Sequence, residues 1–415
     1  GKIGEYENIL FLEAARMMKT EHPGDVACVV VSYLPVPAAV GEMKTKPTQH
    51  AVRTLQSSGL WPDIIVARSI LALDEKRKEK LSFFCNVKPS HIISAPDVKS
   101  IYDVPINFEK ENVGDILSDV LGLSNKTPKA KKELGEQQKA AWATFVKNVH
   151  SAEKEVKIAI VGKYFDTGDF VLSDAYLSVI EAIKHSSYAL KRKPVIAWIN
   201  SGDFEVGSNN TQADVKKRLE TLSEYDGVIV PGGFGSRGIE GKLQAIRYVR
   251  EHKIPYFGIC YGMQLAVIEY ARNVVGIKDA TSKELDGDGK HQVITIMDSQ
   301  VEKIATDNYG GSMRLGAYPA KLKEGSIIAA AYASTLISER HRHRYEVNNA
   351  YVKQIVDAGM VFSGTSPDEH LVEFMELPKK VHPFFVGTQA HPEFKAHPLS
   401  PHPLFTAFIK AAIKK

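Results

Sequence analysis

Cys260 stands between two glycines in Ile254-Pro-Tyr-Phe-Gly258-Ile-Cys260-Tyr-Gly262-Met-Gln264. An apolar run that enters a Gly-x-Cys-x-Gly turn and leaves as a helix-compatible segment has the pattern of a nucleophile elbow. Such a turn pushes its central side chain out of a sheet and sets it at a helix N-terminus. There the helix dipole favours the thiolate, the reactive form of cysteine. A lone cysteine in an apolar run is more often a small buried hydrophobe, and it is the flanking glycines that argue for a nucleophile. A thiolate that attacks an acyl carbon needs a base, and the base needs an orienting group. Val386-Gly-Thr-Gln-Ala-His391-Pro-Glu393 supplies both. Read as an extended stretch, it points His391 and Glu393 to the same side, so that the carboxylate can hold the imidazole tautomer. The nearby His382-Pro383 and His397-Pro398 read as surface turns.

Acyl transfer also needs donors for the developing oxyanion. Gly227 to Val230 reads as a strand running into Pro231-Gly-Gly233-Phe-Gly-Ser-Arg-Gly238, and the backbone amides of Gly233 and Tyr261 are the expected donors. Gly233 to Gly238 also fits G-x-G-x-x-G. The next strand, however, ends in the cysteine turn and not in a ribose-binding acid, which argues against a dinucleotide site. Two further clusters are polar. Lys44-Thr45-Lys46-Pro47-Thr48-Gln49, read as a polar turn, is either a triphosphate cradle or an ordinary exposed loop. Arg340-His-Arg342-His-Arg344 reads, on residue types alone, as a basic patch for phosphate or RNA.

The elements that must position these residues fall into two α/β blocks. The 415 residues exceed one ordinary core. In the first block an amphipathic helix at Ile9 to Ala15 precedes a buried strand at Val26 to Tyr33. Strands at Pro62 to Ala67 and His91 to Ser94 follow, with helices at Glu75 to Phe84 and Val113 to Leu121. Near-continuous apolar strands separated by helices predict a parallel sheet covered on both faces. Lysine and proline take over at Ser124 to Glu136, which reads as a solvated linker before a short helix carrying Trp142, Phe145, Val146 and Val149. The second block opens with a strand at Val156 to Val161 and includes strands at Pro255 to Gly258 and Phe384 to Gly387. The expected organisation is thus 1–123, a linker and helix over 124–154, and 155–415.

With 44% hydrophobic and 25% charged residues and a net charge of +4, the composition is that of a soluble globular chain with no marked basic excess. It does not call for nucleic acid. Three cysteines, Cys28, Cys85 and Cys260, provide no disulfide framework and fit a reducing cytosol. No signal peptide or membrane-length apolar run is present. Because the chain begins at Gly1 without a methionine, its natural N-terminus is expected upstream.

PGGFGSRG, GICYGMQ and HPEF together resemble the class I, triad-type glutamine amidotransferases. Ser338 to Asn349 (SERHRHRYEVNN) and Gly310 to Gly316 (GGSMRLG) resemble the CTP synthase version of that domain, and KTKPTQ resembles the UTP/CTP-binding signature of the same family. The resemblance implies an α/β fold: a C-terminal class I glutamine amidotransferase domain with a parallel-rich sheet, plus the C-terminal part of a P-loop-type α/β synthetase domain. It implies a Cys260, His391, Glu393 triad. It also implies glutamine or oxyanion contacts at Gly233, Tyr261, Gly262, Met263, Gln264, Glu284 and Arg344, with Glu284 holding the substrate ammonium. UTP/CTP contacts would be Glu5, Tyr6, Glu7, Lys44, Thr45, Lys46, Pro47, Thr48, Gln49 and Lys80, and ATP contacts Pro96, Asp97 and Val98. Two departures stand out: Gly4-Glu5-Tyr6-Glu7 where the family usually reads GDIE, and Pro96 in place of a lysine.

The activity implied is ATP-dependent amination of UTP to CTP with ammonia from glutamine, using Mg2+ with ATP and no organic cofactor. Family members are cytoplasmic homotetramers, some forming filaments, activated by GTP and inhibited by CTP. No nucleic-acid or membrane partner is implied. No G-x-x-x-x-G-K-[ST] occurs in these residues. The family's phosphate loop and its magnesium-binding acids are therefore expected before Gly1, with no metal ligand within this chain. The expectation is that these residues alone hydrolyse glutamine without forming CTP. A stand-alone class I glutaminase or γ-glutamyl hydrolase, or a regulatory or assembly homologue without ligase activity, remains the alternative.

Overall fold

Short runs of β-branched residues between helix-forming segments build a sheet in each half of the chain. The computed structural model describes all residues except 1–2, 40, 125–127, 164–165, 168–169, 172–175, 208–209, 234, 236–237, 297–312 and 415, with backbone only at 130, 166–167 and 170–171. The chain divides into two units, Gly1–Val146 and Lys147–Lys415. Of the sequence motifs, Gly310 to Ser312 lies outside the described residues, as do Phe234, Ser236 and Arg237 of the glycine-rich loop.

The first unit carries α1 (Ile9–Glu21), β1 (Val29–Tyr33), α2 (Lys46–Ser57), β2 (Ile64–Ser69), α3 (Glu75–Cys85), β3 (Ile92–Pro96), α4 (Val104–Lys110) and α5 (Val113–Val120). Its three strands pair in parallel in the order β1-β2-β3. One face packs through Val30, Val52, Leu55, Ile65, Leu81 and Ile92. On the other face Ile64, Val66 and Ile93 meet Phe108, Val113, Ile116 and Leu117.

The expectation of a sheet covered on both faces holds over β2 and β3 and fails at β1, where Val29, Val31 and Tyr33 are exposed. β1 is an edge strand, and its side chains alternate in exposure. The expected linker is also corrected. Lys129–Ser151 is one 23-residue helix, α6, so most of Ser124 to Glu136 is helical. Lysine, alanine, glutamate and glutamine are strong helix formers, and their charge disguised an element as a connector.

The second unit is built on a nine-stranded sheet. In chain order the strands of this unit are β4 (Glu155–Gly162), β5 (Asp166–Thr167), β6 (Phe170–Val171), β7 (Lys193–Asn200), β8 (Gly227–Val230), β9 (Tyr256–Ile259), β10 (Ala280–Ser282), β11 (His291–Ile296), β12 (Arg314–Leu322), β13 (Leu336–His343), β14 (Tyr345–Val347), β15 (Val361–Thr365), β16 (Val372–Glu376) and β17 (Phe385–Thr388). The large sheet runs β13-β12-β15-β16-β17-β9-β8-β4-β7. From β17 to β7 every pairing is parallel; from β13 to β17 every pairing is antiparallel. β8, β9 and β17 are buried throughout, as central strands covered on both faces must be. A smaller sheet, β10-β11-β14, and the β5-β6 pair complete the strands. Among the described residues, no helix is long and apolar enough to cross a membrane.

Candidate active site

In open α/β sheets the loops at the carboxyl ends of the parallel strands form the natural crevice. Here β9 ends at Cys260, β8 at the Pro231 to Gly233 loop, and β17 just before His391. Cys260 caps α10 (Tyr261–Tyr270) with φ 50° and ψ −101°, the strained backbone of a nucleophile elbow. The flanking glycines serve close packing more than rotation. A Cβ on Gly262 would lie 2.0 Å from the Val230 carbonyl oxygen, and one on Gly258 would lie 2.8 Å from the Gly262 carbonyl carbon. The positive φ falls on the cysteine itself.

His391 Nδ1 lies 2.7 Å from Glu393 Oε1, and the imidazole lines the same cavity as the Cys260 thiol. The expected extended stretch is corrected: Pro392–Lys395 is a 3-10 turn, and that turn brings the carboxylate back to the ring. Burial by itself lowers the His391 pKa, but the sulfur of Cys260 and the carboxylate of Glu393 outweigh it and raise the pKa to about 10. A charged imidazolium is therefore the resting form at neutral pH. A Cβ on Gly232 would sit 2.9 Å from His391 Cε1, so only glycine leaves room for the ring there.

Two cavities meet at the thiol. One, of about 170 Å³, is lined by Gly233, Cys260, Tyr261, Gln264, Glu284, His343, Arg344 and Tyr345. The other, of about 380 Å³, reaches Lys163, Gly232, Arg342, His391 and Glu393. The smaller one carries a carboxylate, Glu284, and a guanidinium, Arg344, which suit the two charged ends of an α-amino acid. Glu284 also accepts a 2.8 Å hydrogen bond from the Gly235 amide, tying down the glycine-rich loop, and the Tyr261 hydroxyl donates to the Gly235 carbonyl at 3.0 Å.

Of the expected glutamine or oxyanion residues, Gly233, Tyr261, Gln264, Glu284 and Arg344 converge on this cavity, whereas Gly262 and Met263 do not line it. Gly262 lies against Val230, and Met263 is fully buried in the core.

Sequence reasoning missed several neighbours. Gln389 donates to Cys260 Sγ at 3.6 Å, and its Oε1 accepts from Gln264 Nε2 at 3.1 Å. Gln389 lies two residues before His391, and that spacing was its only signal. The Arg340 to Arg344 run is no uniform basic patch: strand alternation exposes Arg340 and Arg342 and buries His341 and His343. Beneath the site, Arg314 Nη1 reaches Glu373 at 2.5 Å and Glu346 at 3.5 Å. His343 Nε2 lies 2.6 Å from Glu346. Burial, reinforced by Arg314 and His391, lowers the His343 pKa well below its usual range, so the ring is neutral. Burial also raises the pKa of both Glu346 and Glu373 against the pull of Arg314. His382, expected in a surface turn, is buried, with Nε2 3.2 Å from the Val249 carbonyl.

In the first unit the KTKPTQ run is a helix entry and not a turn: Thr45 caps α2, and Lys46 and Pro47 open it. Thr45, Thr48 and Gln49 face inward and are buried. Thr48 Oγ1 lies 2.8 Å from Ser32 Oγ, and Gln49 Nε2 donates to Thr45 Oγ1 at 3.2 Å. Lys44 Nζ is 2.7 Å from the Glu42 carboxylate, with Arg77 4.0 Å from it. Lys44, then Arg77 and Lys80, hold the Glu42 pKa below the usual carboxylate range. Lys44, Lys80 and the unforeseen Arg77 thus share one patch. Glu5, Tyr6 and Glu7 lie in and beside an exposed 3-10 turn, Tyr6–Asn8. Pro96 ends β3, Asp97 pairs with Arg68 at 2.7 Å, and Val98 is half-buried beside it.

Comparison with known proteins bears on both units. Residues 1–123 match the family described as CTP synthase N-terminus, and residues 171–411 match glutamine amidotransferase class-I. A CTP synthase from Sulfolobus acidocaldarius is 45% identical over 412 residues, covering 99% of this chain and 73% of that protein. One from Saccharopolyspora erythraea is 46% identical over 416 residues, covering 100% of this chain and 69% of its own length. The glutaminase domain of Trypanosoma brucei CTPS, solved with bound acivicin, superposes with a TM-score of 0.56 at 40% identity, over 63% of this chain and 94% of that one. With both units matched and relatives aligned along nearly its whole length, the chain belongs to the CTP synthase family, with a class I glutamine amidotransferase domain.

Proposed function

We propose that this chain hydrolyses glutamine at Cys260 and serves the ATP-dependent amination of UTP to CTP. The observation that carries the reading is the small cavity joining a histidine-paired thiol to one carboxylate and one guanidinium. Arg344 takes the substrate carboxylate, Glu284 its ammonium, and the side-chain amide then reaches Cys260. The thiolate attacks the amide carbon, forming a C–S bond while the carbonyl becomes an oxyanion facing the Gly233 and Tyr261 amides. His391 passes its proton to the leaving nitrogen, the C–N bond breaks and ammonia departs. Neutral His391 next takes a proton from water, whose oxygen attacks the thioester and releases glutamate and the thiolate. Glu393 holds the imidazole in place throughout.

For the first unit, the family resemblance supports Lys44 to Gln49 and Lys80 as UTP/CTP contacts, Glu5, Tyr6 and Glu7 as further ones, and Pro96 to Val98 as ATP contacts. The same resemblance supports domains at 1–123 and 155–415, a cytoplasmic homotetramer, GTP activation and CTP inhibition. Magnesium would accompany ATP. Among the described residues no three or more His, Cys, Asp or Glu side chains converge to hold a metal ion, and no step here runs through magnesium.

The test is glutamine hydrolysis by the 415-residue chain and by Cys260→Ala. The wild type should release ammonia and the variant should release none while keeping its thermal melt. These residues alone should form no CTP from UTP, ATP and ammonium chloride. Hydrolysis that survives in the variant refutes the triad, and CTP formation refutes the restriction to the glutaminase half.

A further inference from the structure

Lys242 is a group that the reaction as written does not use. It lies in the first turns of α9 (Ile239–Glu251) and is fully buried. Among the described residues its ammonium has no hydrogen-bond partner. An unpaired ammonium inside a protein is a destabilising feature, since burial removes its hydration and nothing replaces it. What surrounds it is the wall of the thiol site. Nζ lies 5.4 Å from the centre of the Tyr261 ring, a cation–π contact that offsets part of the loss. A Cβ on Gly233 would sit 3.9 Å from Nζ, so the charge stands directly behind that residue's backbone. Gly233 and Tyr261 are the two residues whose amides face the oxyanion in the reading above.

We infer that Lys242 is a positioning residue for glutamine hydrolysis, its buried ammonium supplying through the Gly233 and Tyr261 backbone a fixed positive charge for the tetrahedral oxyanion. This rests on the proposed glutaminase reaction. A charge fixed in a low-dielectric wall acts on the transition state without reorganising, which makes electrostatic preorganisation effective. Lys163 also approaches this loop, its Nζ 3.7 Å from where a Cβ on Gly235 would be. Burial first, then this neighbouring lysine, lowers the Lys242 pKa to about 8, so it remains mostly charged at neutral pH. A purely structural lysine would be expected to hold acceptors, and Lys242 holds none among the described residues.

The opposed effects on stability and rate supply the test. Lys242→Met keeps the stem and removes the charge; Lys242→Arg keeps the charge. Thermal melts and kcat and KM for glutamine are measured on the 415-residue chain. Lys242→Met should lower kcat about tenfold, equivalent to about 1.4 kcal/mol, with KM changed less than about twofold and the melting temperature unchanged or raised. Lys242→Arg should retain more of kcat than Lys242→Met does. An unchanged kcat in Lys242→Met, or kcat and melting temperature falling together in both variants, overturns the inference while leaving the triad standing. A wild-type chain that does not hydrolyse glutamine overturns the reading on which it rests.

Discussion

The contact between Glu393 and His391 bears on the pH at which the proposed site would work. The Glu393 carboxylate and the Cys260 sulfur together raise the His391 pKa to about 10 against the effect of burial. A raised pKa means that the imidazolium persists through neutral pH and is lost as pH rises through the folded value. Removing the carboxylate removes part of what holds the proton, so the alkaline limb must move down. Glu393→Gln is expected to shift the alkaline limb of kcat/KM for glutamine down by on the order of one pH unit, or about 1.4 kcal/mol, and to lower kcat. A limb that stays put would mean that Glu393 does not set the proton affinity of His391. That Cys260, His391 and Glu393 come together was legible from residue types, because a thiol, an imidazole and a carboxylate at such spacings have few chemical substitutes. Gln389 and Lys242 were not, since a glutamine or lysine in sequence carries no sign that its amide will meet a sulfur or its ammonium will be buried.

At the scale of elements, the elbow works because α10 comes within backbone distance of β8. The 2.0 Å gap between the Val230 carbonyl oxygen and a Cβ at Gly262 leaves no room for any side chain, and both atoms belong to rigid elements. Gly262→Ala should therefore destabilise the second unit by roughly 2–4 kcal/mol, seen as a lower melting temperature with glutaminase activity lost. Gly207→Ala, which meets nothing within 4 Å, should leave the melt nearly unchanged. Equal melts for the two would show that α10 can move off β8 at little cost. Buried strands such as β8, β9 and β17 were legible as apolar runs bounded by glycine and proline. Elements whose signal is local composition were less so. α6 passed for a connector because helix formers are also charged residues. The open side of β1 was hidden because Val29 and Val31 are apolar whether or not anything covers them. The 3-10 turn after His391 was read as extended, since proline suits both.

The molecule as a whole joins two chemistries carried by different units, and the two should be separable by mutation. In the first unit Lys44, Arg77 and Lys80 surround the exposed carboxylate of Glu42 beside the entry to α2. A triphosphate arriving there would take over the positive charges that Glu42 now engages. The resulting contacts are charge-assisted hydrogen bonds, worth about 1.5–3 kcal/mol each. Lys44→Ala with Lys80→Ala should weaken UTP binding by roughly a hundredfold or more and leave it less sensitive to salt than in the wild type. Glu42→Gln should tighten binding, because the competing anion is gone. Neither change touches the thiol site, which lies wholly in the second unit, so glutamine hydrolysis should continue at the wild-type rate. Cys260→Ala should do the reverse, abolishing hydrolysis with UTP affinity intact. Titration calorimetry with UTP alongside an ammonia-release assay on the same preparations reads both. If the double lysine variant bound UTP as well as the wild type, KTKPTQ would be only the capped start of a helix, and the nucleotide would have to be held elsewhere.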